Sequence, residues 1–450
     1  MQIPPYVIRA IEKLESEGYS AYLVGGCLRD TIIGTPVNDW DITCSALPDA
    51  VLTVFDGCRI VAVGIQHGTL RIEFTEGSLE VTSFRRDGEY YDNRHPATIE
   101  FVKTIEDDLS RRDFTMNAIA FNPQAGFIDP FGGQGDISDR LIRSVGDPCH
   151  RLQEDALRIM RALRFSSTLG FTLEDDLSRS LHVNKELLAR IATERVSIEL
   201  LKMLAGAHVL PVLLEYADVL AVFIPEIEAT IGFDQKSRFH QYDIWEHTAR
   251  AVDAARQDQT VRLALLMHDL GKPARFFIDS GGEGHFYGHD ILGEELARNR
   301  LRELRFSNAL VHQVSQVIRF HQVRLKAENT RKWLARLGEE LLRLLIEVKR
   351  GDIAAHSDLI RELAMSDLMA SEARLNEIID KRLCVRLSDL AINGNDLLKM
   401  GLKEGRMIGE ILSFLLTAVI EERLENSKET LLTAAMDYSN DWSQRGDSNP

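Results

Sequence analysis

The sequence predicts an α+β fold, a mixed α/β head followed by a long all-helical chain. Short β-type runs separated by turn residues fill the first 130 positions. From about residue 136 the apolar spacing turns helical and stays so. No internal repeat at solenoid period interrupts this, so the helices belong to packed bodies and not to an array.

Taken in order, residues 5–17 read as a short helix and Ala21–Val24 as a β-type run ending in Gly25-Gly26. Further strands are expected at 39–43, Thr69–Phe74 and 79–84. Helices are expected at 155–169, 194–204, 210–220, 248–255, 261–267 and 331–349. Residues 437–450 are polar and expected to fray. The expected domains are a catalytic head (1–135), a helical neck (136–205), a helical linker (206–235), a helical domain (236–360) and a helical tail (361–450).

Of the 450 residues, 44% are hydrophobic, enough for several cores. The N-terminus lacks the apolar run of a signal peptide, and no stretch is long enough to span a bilayer. A cytoplasmic protein without membrane contact is the expectation. The five cysteines are scattered without Cys-x-x-Cys spacing, so neither a disulfide framework nor a zinc ribbon is indicated. The net charge of −16 excludes broad coating of nucleic acid. It leaves room for a local basic track, and Arg140, Arg143, Arg151, Arg158, Arg161 and Arg164 supply one.

The first chemical signal is Asn38-Asp39-Trp40-Asp41-Ile42. On a strand, Asp39 and Asp41 share a face, and two unpaired carboxylates there call for a divalent cation. An isolated Asp-x-Asp is more often a charged strand edge. Upstream, however, Leu23-Val24-Gly25-Gly26-Cys27-Leu28-Arg29-Asp30 reads as strand, glycine turn and helix start. Such a turn lets backbone amides approach a triphosphate, with Arg29 in reach of phosphate. Glu80, on the following strand, is a candidate third acid.

Further motifs follow. They are Arg111-Arg112-Asp113-Phe114-Thr115-Met116-Asn117-Ala118, Asp129-Pro130-Phe131-Gly132-Gly133, Glu154-Asp155-Ala156-Leu157-Arg158 and Glu194-Arg195-Val196. In this order they resemble class II tRNA nucleotidyltransferases, the bacterial CCA-adding enzymes and poly(A) polymerases, with a polymerase-β-like head. The resemblance implies that Asp39 and Asp41 hold Mg2+ in a two-metal site. It implies that Gly26, Arg29, Arg112, Asp155, Arg158, Arg161 and Arg164 contact nucleotide. Asp155 and Arg158, three apart, would share a helix face and offer acceptors and donors to a cytosine or adenine edge. The implied partners are CTP, ATP and the 3′ end of tRNA, with no DNA. The implied reaction is in-line attack of the RNA 3′-hydroxyl on the α-phosphate, with pyrophosphate leaving.

Relatives add CCA, only CC or only A. The charged, full-length segment at 83–96 disfavours CC-only addition and leaves CCA and A addition open. Poly(A) polymerases usually carry a basic C-terminal extension with no counterpart here, which makes them the distant alternative.

The helical part holds His247, His268-Asp269-Leu270-Gly271-Lys272 and Asp352. His…His-Asp…Asp resembles the HD metal-dependent phosphohydrolase superfamily, and imidazole with carboxylate suits a divalent metal. His285, His289 and His321 are further candidate ligands. The resemblance implies a metal on His247, His268, Asp269 and Asp352, and a second activity as a phosphohydrolase. An HD phosphohydrolase with a regulatory nucleotide-binding head is the alternative from another class. Residues 389–402 resemble tail text of long CCA-adding relatives, which implies contact with tRNA.

Overall fold

Val7, Ala10, Ile11 and Leu14 recur at helical spacing and are all buried, so Pro5–Ser16 forms a helix with one apolar face. That face packs on the first strand of a sheet. The computed structural model describes residues 2–37, 39–64, 68–88 and 98–446. Residues 89–96, most of the segment that bears on which nucleotides are added, lie outside the described residues.

The strands are β1 (Ala21–Val24), β2 (Trp40–Cys44), β3 (Arg59–Gly64), β4 (Thr69–Phe74), β5 (Gly77–Ser83), β6 (Arg85–Asp87), β7 (Ile99–Phe101), β8 (Ala120–Asn122) and β9 (Gly126–Ile128). Seven of them form one sheet in the order β3-β4-β5-β2-β1-β8-β9. β2 and β5 pair in parallel, while the other neighbours run antiparallel. β3, β8 and β9 were not expected. β8 and β9 are three residues each, too short for alternation to show, and β3 carries a register shift between Val61 and Gly64.

The chain divides into two compact units. The first is residues 1–231 with 257–259 and 300–307, and the second is the remainder. In the first unit, helices follow the sheet from Pro148–Glu154 through Leu157–Leu169 and Thr193–Leu204. Two expected helices are broken. The 210–220 run divides into Val209–Glu215 and Ala217–Leu220 around Tyr216. The 331–349 run divides at Gly338, whose φ of +77° suits glycine and ends Ala327–Leu337 before Glu339–Ala354 begins.

In the second unit, Ile244–Ala254 and Asn308–Phe320 both pack on Glu339–Ala354. Near the C-terminus, Leu397, Ile411, Leu415 and Leu431 are fully buried in a core of their own. The expected fraying is not seen through Gly446, because Lys428–Gly446 is helical and buries Leu431 and Ala435 in that core.

Candidate active site

Strand register gathers the acids of the first unit. Asp41 on β2 stands opposite Glu80 on β5, and Glu80 stands opposite Arg71 on β4. Paired positions share a face, so Arg71, Glu80 and Asp41 form a row, with Asp39 just ahead of β2. Arg71 Nη2 lies 2.6 Å from Glu80 Oε1. Asp41 keeps an excess of negative charge nearby. Burial, Glu80 and Asp39 push its carboxyl up to about 6, against the weaker pull of Arg112 and Arg71. A buried carboxylate held in an excess of negative charge fits a divalent cation.

The glycine turn sits against this row. Gly25 has φ +78°, and a Cβ there would lie 3.2 Å from Arg112 Nη1 and 3.8 Å from Asp41 Oδ2. The family resemblance points to Gly26 instead. A Cβ at Gly26 would meet only the end of Arg29, at 3.5 Å, so the backbone requirement falls on Gly25. The helix Gly26–Ile33 starts here, with its first amides unpaired along the helix.

Arg112 is aimed by a residue that sequence reasoning missed. Asp108 is fully buried and accepts from Arg111 Nε at 3.0 Å, Arg112 Nη2 at 3.2 Å, the Arg85 amide at 3.3 Å and Thr43 Oγ1 at 3.4 Å. Burial opposes its charge, but Arg111 and Arg112 hold its carboxyl below the usual range. Thr43 lies on β2, so Asp108 ties the arginine segment to the strand of Asp41. The signal was present as an Asp three and four residues before two arginines at the end of Ile105–Ser110. Arg112 Nε is buried and makes no hydrogen bond among the described residues, which leaves it a donor to spend near the carboxylate row.

A second network holds the remaining arginines. Arg29 donates from Nη1 to Asn117 Oδ1 at 2.8 Å and from Nε to Asp30 at 2.8 Å. Asn117 Nδ2 donates to Asp113 Oδ1 at 3.0 Å, and Arg161 Nε donates to Asp113 Oδ2 at 2.8 Å. Burial opposes the Asp113 charge, and Arg161 with Asn117 outweighs it, holding the carboxyl far below the usual range. Arg29, Arg161 and Arg164 all lie over the Phe165 ring, at 4.8, 5.4 and 4.0 Å from its centroid. Arg164 also pairs with Glu199 at 3.1 Å. Asp113 and Asn117 thus explain their own motif structurally, by positioning arginines.

The expected helix face for Asp155 and Arg158 is corrected. Asp155 closes Pro148–Glu154 with φ −135° and ψ 99°, and the next helix begins at Leu157. The cause is local, since Asp155 Oδ1 accepts from the Leu157 amide at 3.1 Å in competition with the helix ladder. Arg158 donates to Arg151 O and Glu154 Oε2, both at 2.9 Å, and to Arg111 O at 3.0 Å. Asp155 lies instead within the field of Arg195 and Arg158, which only partly offset the burial that raises its carboxyl.

In the second unit His247, His268, Asp269 and Asp352 converge, all buried. His247 Nε2 lies 3.0 Å from Asp352 Oδ1, and His268 Nε2 lies 3.2 Å from Asp269 Oδ2 and 3.7 Å from Asp352 Oδ1. Burial opposes charge on His268, yet Asp269 and Asp352 pull it up to about 10. Lys272 Nζ stands 2.7 Å from Asp269 Oδ2, and the grouped imidazoles and carboxylates are a donor set that suits a divalent metal.

A mixed sheet that sets three carboxylates beside a glycine turn and an aimed arginine defines a nucleotidyltransferase head. Residues 21–143 match the family described as poly A polymerase head domain. Residues 170–231 match the probable RNA and SrmB-binding site of polymerase A, and residues 290–435 the putative tRNA nucleotidyltransferase domain 2. A CCA-adding enzyme of Geobacillus thermodenitrificans is 44% identical over 285 residues, 61% of this chain and 66% of that one. One from Geobacillus sp. (strain WCH70) is 33% identical over 427 residues, 94% of each. The crystal structure of the Bacillus stearothermophilus CCA-adding enzyme in complex with CTP superposes with a TM-score of 0.74 at 29% identity, covering 99% of this chain and 100% of that one. The chain belongs to the CCA-adding enzyme family. Such nucleotidyltransferases depend on a divalent metal. Among the described residues, no helix is long and apolar enough to cross a membrane.

Proposed function

We propose that this chain completes the 3′ end of tRNA with CCA, taking CTP and ATP and releasing pyrophosphate. The observation that carries this is the row of Asp41 and Glu80, with Asp39 just ahead of it, beside Gly25 and Arg112, in a chain alike over 94% of its length to a CCA-adding enzyme. Mg2+ is the cation we assign to Asp39 and Asp41, with Glu80 as third acid; bound there it would neutralise phosphate charge and lower the barrier to 3′-hydroxyl attack. The helix start at Gly26 offers amides to the triphosphate, and Arg112 offers its unpaired Nε. Arg29, Arg161 and Arg164 form the basic wall that receives nucleotide or RNA phosphate. Asp155 selects the base edge together with Arg158 once Arg158 is released from Glu154. On this reading residues 1–135 are the catalytic head, 136–205 the neck, 206–235 a linker, 236–360 an HD-type domain and 361–450 a tail that touches tRNA. The protein acts in the cytoplasm.

The test uses three tRNA transcripts, ending at the discriminator base, in C and in CC, with labelled CTP and ATP. Completion of all three to CCA is expected. Extension of the CC-ended transcript alone, by one A, would replace this reading with A-only addition.

The buried cluster in the second unit favours a second activity. We assign a divalent metal to His247, His268, Asp269 and Asp352 and phosphohydrolase chemistry to that site. Hydrolysis of a phosphate ester should vanish in a His268→Ala, Asp269→Ala double variant while nucleotide incorporation persists. Hydrolysis unchanged in that variant would remove the assignment.

A further inference from the structure

Arg71 and Arg59 stand on the catalytic face of the sheet, outside every motif. Arg71 on β4 lies opposite Glu80 on β5, and Glu80 lies opposite Asp41 on β2. Glu73, two residues after Arg71, lies opposite Arg59 on β3. Positions two apart on a strand, and positions paired across strands, share a face. Asp41, Glu80, Arg71 and Arg59 therefore look out from one side, while Leu70 and Ile72 alternate with Arg71 and are buried on the other. The Arg71 side chain is 43% exposed. Among the described residues its side-chain hydrogen bonding goes to Glu80 Oε1, from Nη2 at 2.6 Å, while Nε is buried and bonds to nothing. A guanidinium has five N–H donors in a planar fork, so most of this one's capacity is unspent within the protein. Turning the fork toward an anion costs no bond at Nε.

The place of these arginines across the sheet decides which anion they meet. The strand order is β3-β4-β5-β2-β1-β8-β9. The groups assigned to the triphosphate lie at β1. Gly25 follows that strand, the helix Gly26–Ile33 carries Arg29, and Arg112 Nη1 stands 3.2 Å from where a Gly25 Cβ would be. Asp41 and Glu80 come next, on β2 and β5, and Arg71 and Arg59 stand beyond them. In-line displacement sets the attacking oxygen and the leaving pyrophosphate on opposite sides of the α-phosphorus. With pyrophosphate on the β1 side, the RNA 3′ end arrives over β5 and β4. Neighbouring strands are about 4.8 Å apart, which puts the Arg71 backbone roughly 10 Å from that of Asp41. Its guanidinium reaches back to Glu80, so a cation stands just behind the attacking oxygen.

We propose that Arg71 is the seat of the last phosphodiester of the RNA, the linkage just before the terminal 3′-hydroxyl, with Arg59 facing the next linkage out. The proposal rests on the tRNA-extension reading and places the RNA within that same site. Arg71 keeps the hydroxyl in register by gripping the charge behind it, and its bond to Glu80 aims the fork. Glu73 neighbours both arginines, so the grip is a direct contact and not the pull of a broad positive field.

The test uses the full-length protein, Mg2+, labelled ATP and a tRNA ending in CC. The RNA is made with its last linkage either charged or replaced by a neutral methylphosphonate. Both forms carry 2′-O-methyl on the nucleoside before that linkage, which keeps the neutral one from breaking. In wild type the neutral linkage should raise the KM for RNA about tenfold, as loss of a charge-assisted hydrogen bond does. Arg71→Gln should raise it by a similar factor with the charged linkage, leave the KM for ATP unchanged, and show no further rise with the neutral one. Its kcat/KM for RNA should also fall less steeply with salt, the log–log slope being shallower by about 0.7. A neutral-linkage penalty as large in Arg71→Gln as in wild type would overturn the seat. A variant altered only in kcat and in its Mg2+ requirement would overturn it too, since that is the mark of a residue that merely neutralises Glu80. Equal extension of both RNAs by wild type would overturn it whether or not the variant folds. No extension of the charged RNA by wild type would overturn the tRNA-extension reading, and the seat with it.

Discussion

Asp41→Asn should stabilise the metal-free protein while abolishing nucleotide incorporation. The carboxyl of Asp41 is raised from 3.8 to about 6 by burial, with Glu80 and Asp39 adding to it. A folded-state value above the unfolded one means that the favourable protonated form is fully present below 3.8 and lost as pH rises through 6. At ~1.4 kcal/mol per pH unit, ionised Asp41 costs the fold at most about 3 kcal/mol above neutral pH, and about half of that at mildly acidic pH. Asparagine keeps the shape and cannot ionise, so it escapes this cost. For a unit of this size ~1 kcal/mol moves the melting temperature by roughly 2–4 °C, which sets the upper limit of the gain near ~10 °C. The assay is thermal and urea unfolding of wild type and variant in chelator at mildly acidic and mildly alkaline pH, then in saturating Mg2+. The variant's advantage should grow with pH and shrink when Mg2+ is added, because the cation relieves the repulsion in wild type only. Equal stabilities at alkaline pH would refute the reasoning, since the protein's own arginines would then already neutralise the carboxylate row.

Three further outcomes are expected. Gly25→Ala must hold φ +78° with its methyl 3.2 Å from Arg112 Nη1, so it should lose about 1–3 kcal/mol in urea unfolding and much of its incorporation rate, while Gly26→Ala keeps both. Asn117→Ala leaves Arg29 and Asp113 each without one buried partner, which should cost about 1–3 kcal/mol and raise the KM for CTP and ATP together. Asp155→Ala should lower kcat/KM for both nucleotides and relax the choice between them with little change in the KM for tRNA. Unchanged discrimination in that variant would remove Asp155 from base selection.

The parts of the site legible in the sequence were those fixed by short-range backbone geometry. Two aspartates flanking Trp40 predict a shared strand face, and Gly25-Gly26 after an apolar run predicts a turn into a helix. The assignment of Glu80 to the carboxylate row needed the parallel register of β2 and β5, which pairs residues 39 positions apart and leaves no periodic trace. Asp108 and Asp113 were hidden for a different reason. Each looks like an ordinary surface acid in a charged segment, and only burial reveals that each holds two guanidinium groups or an arginine and an amide. Asp155 was misplaced because helical spacing alone cannot register a side chain that accepts from the amide two residues on. The same logic explains the histidines. Sequence spacing links His268 to Asp269, but the approach of His289 Nε2 to His321 Nε2 at 3.1 Å exists only once a helix start and a helix end are packed around Asp269. A buried cluster of histidines and carboxylates is thus the kind of feature that a sequence announces by a few residues and a structure completes, because its geometry is set by tertiary packing while its chemistry is set by residue type.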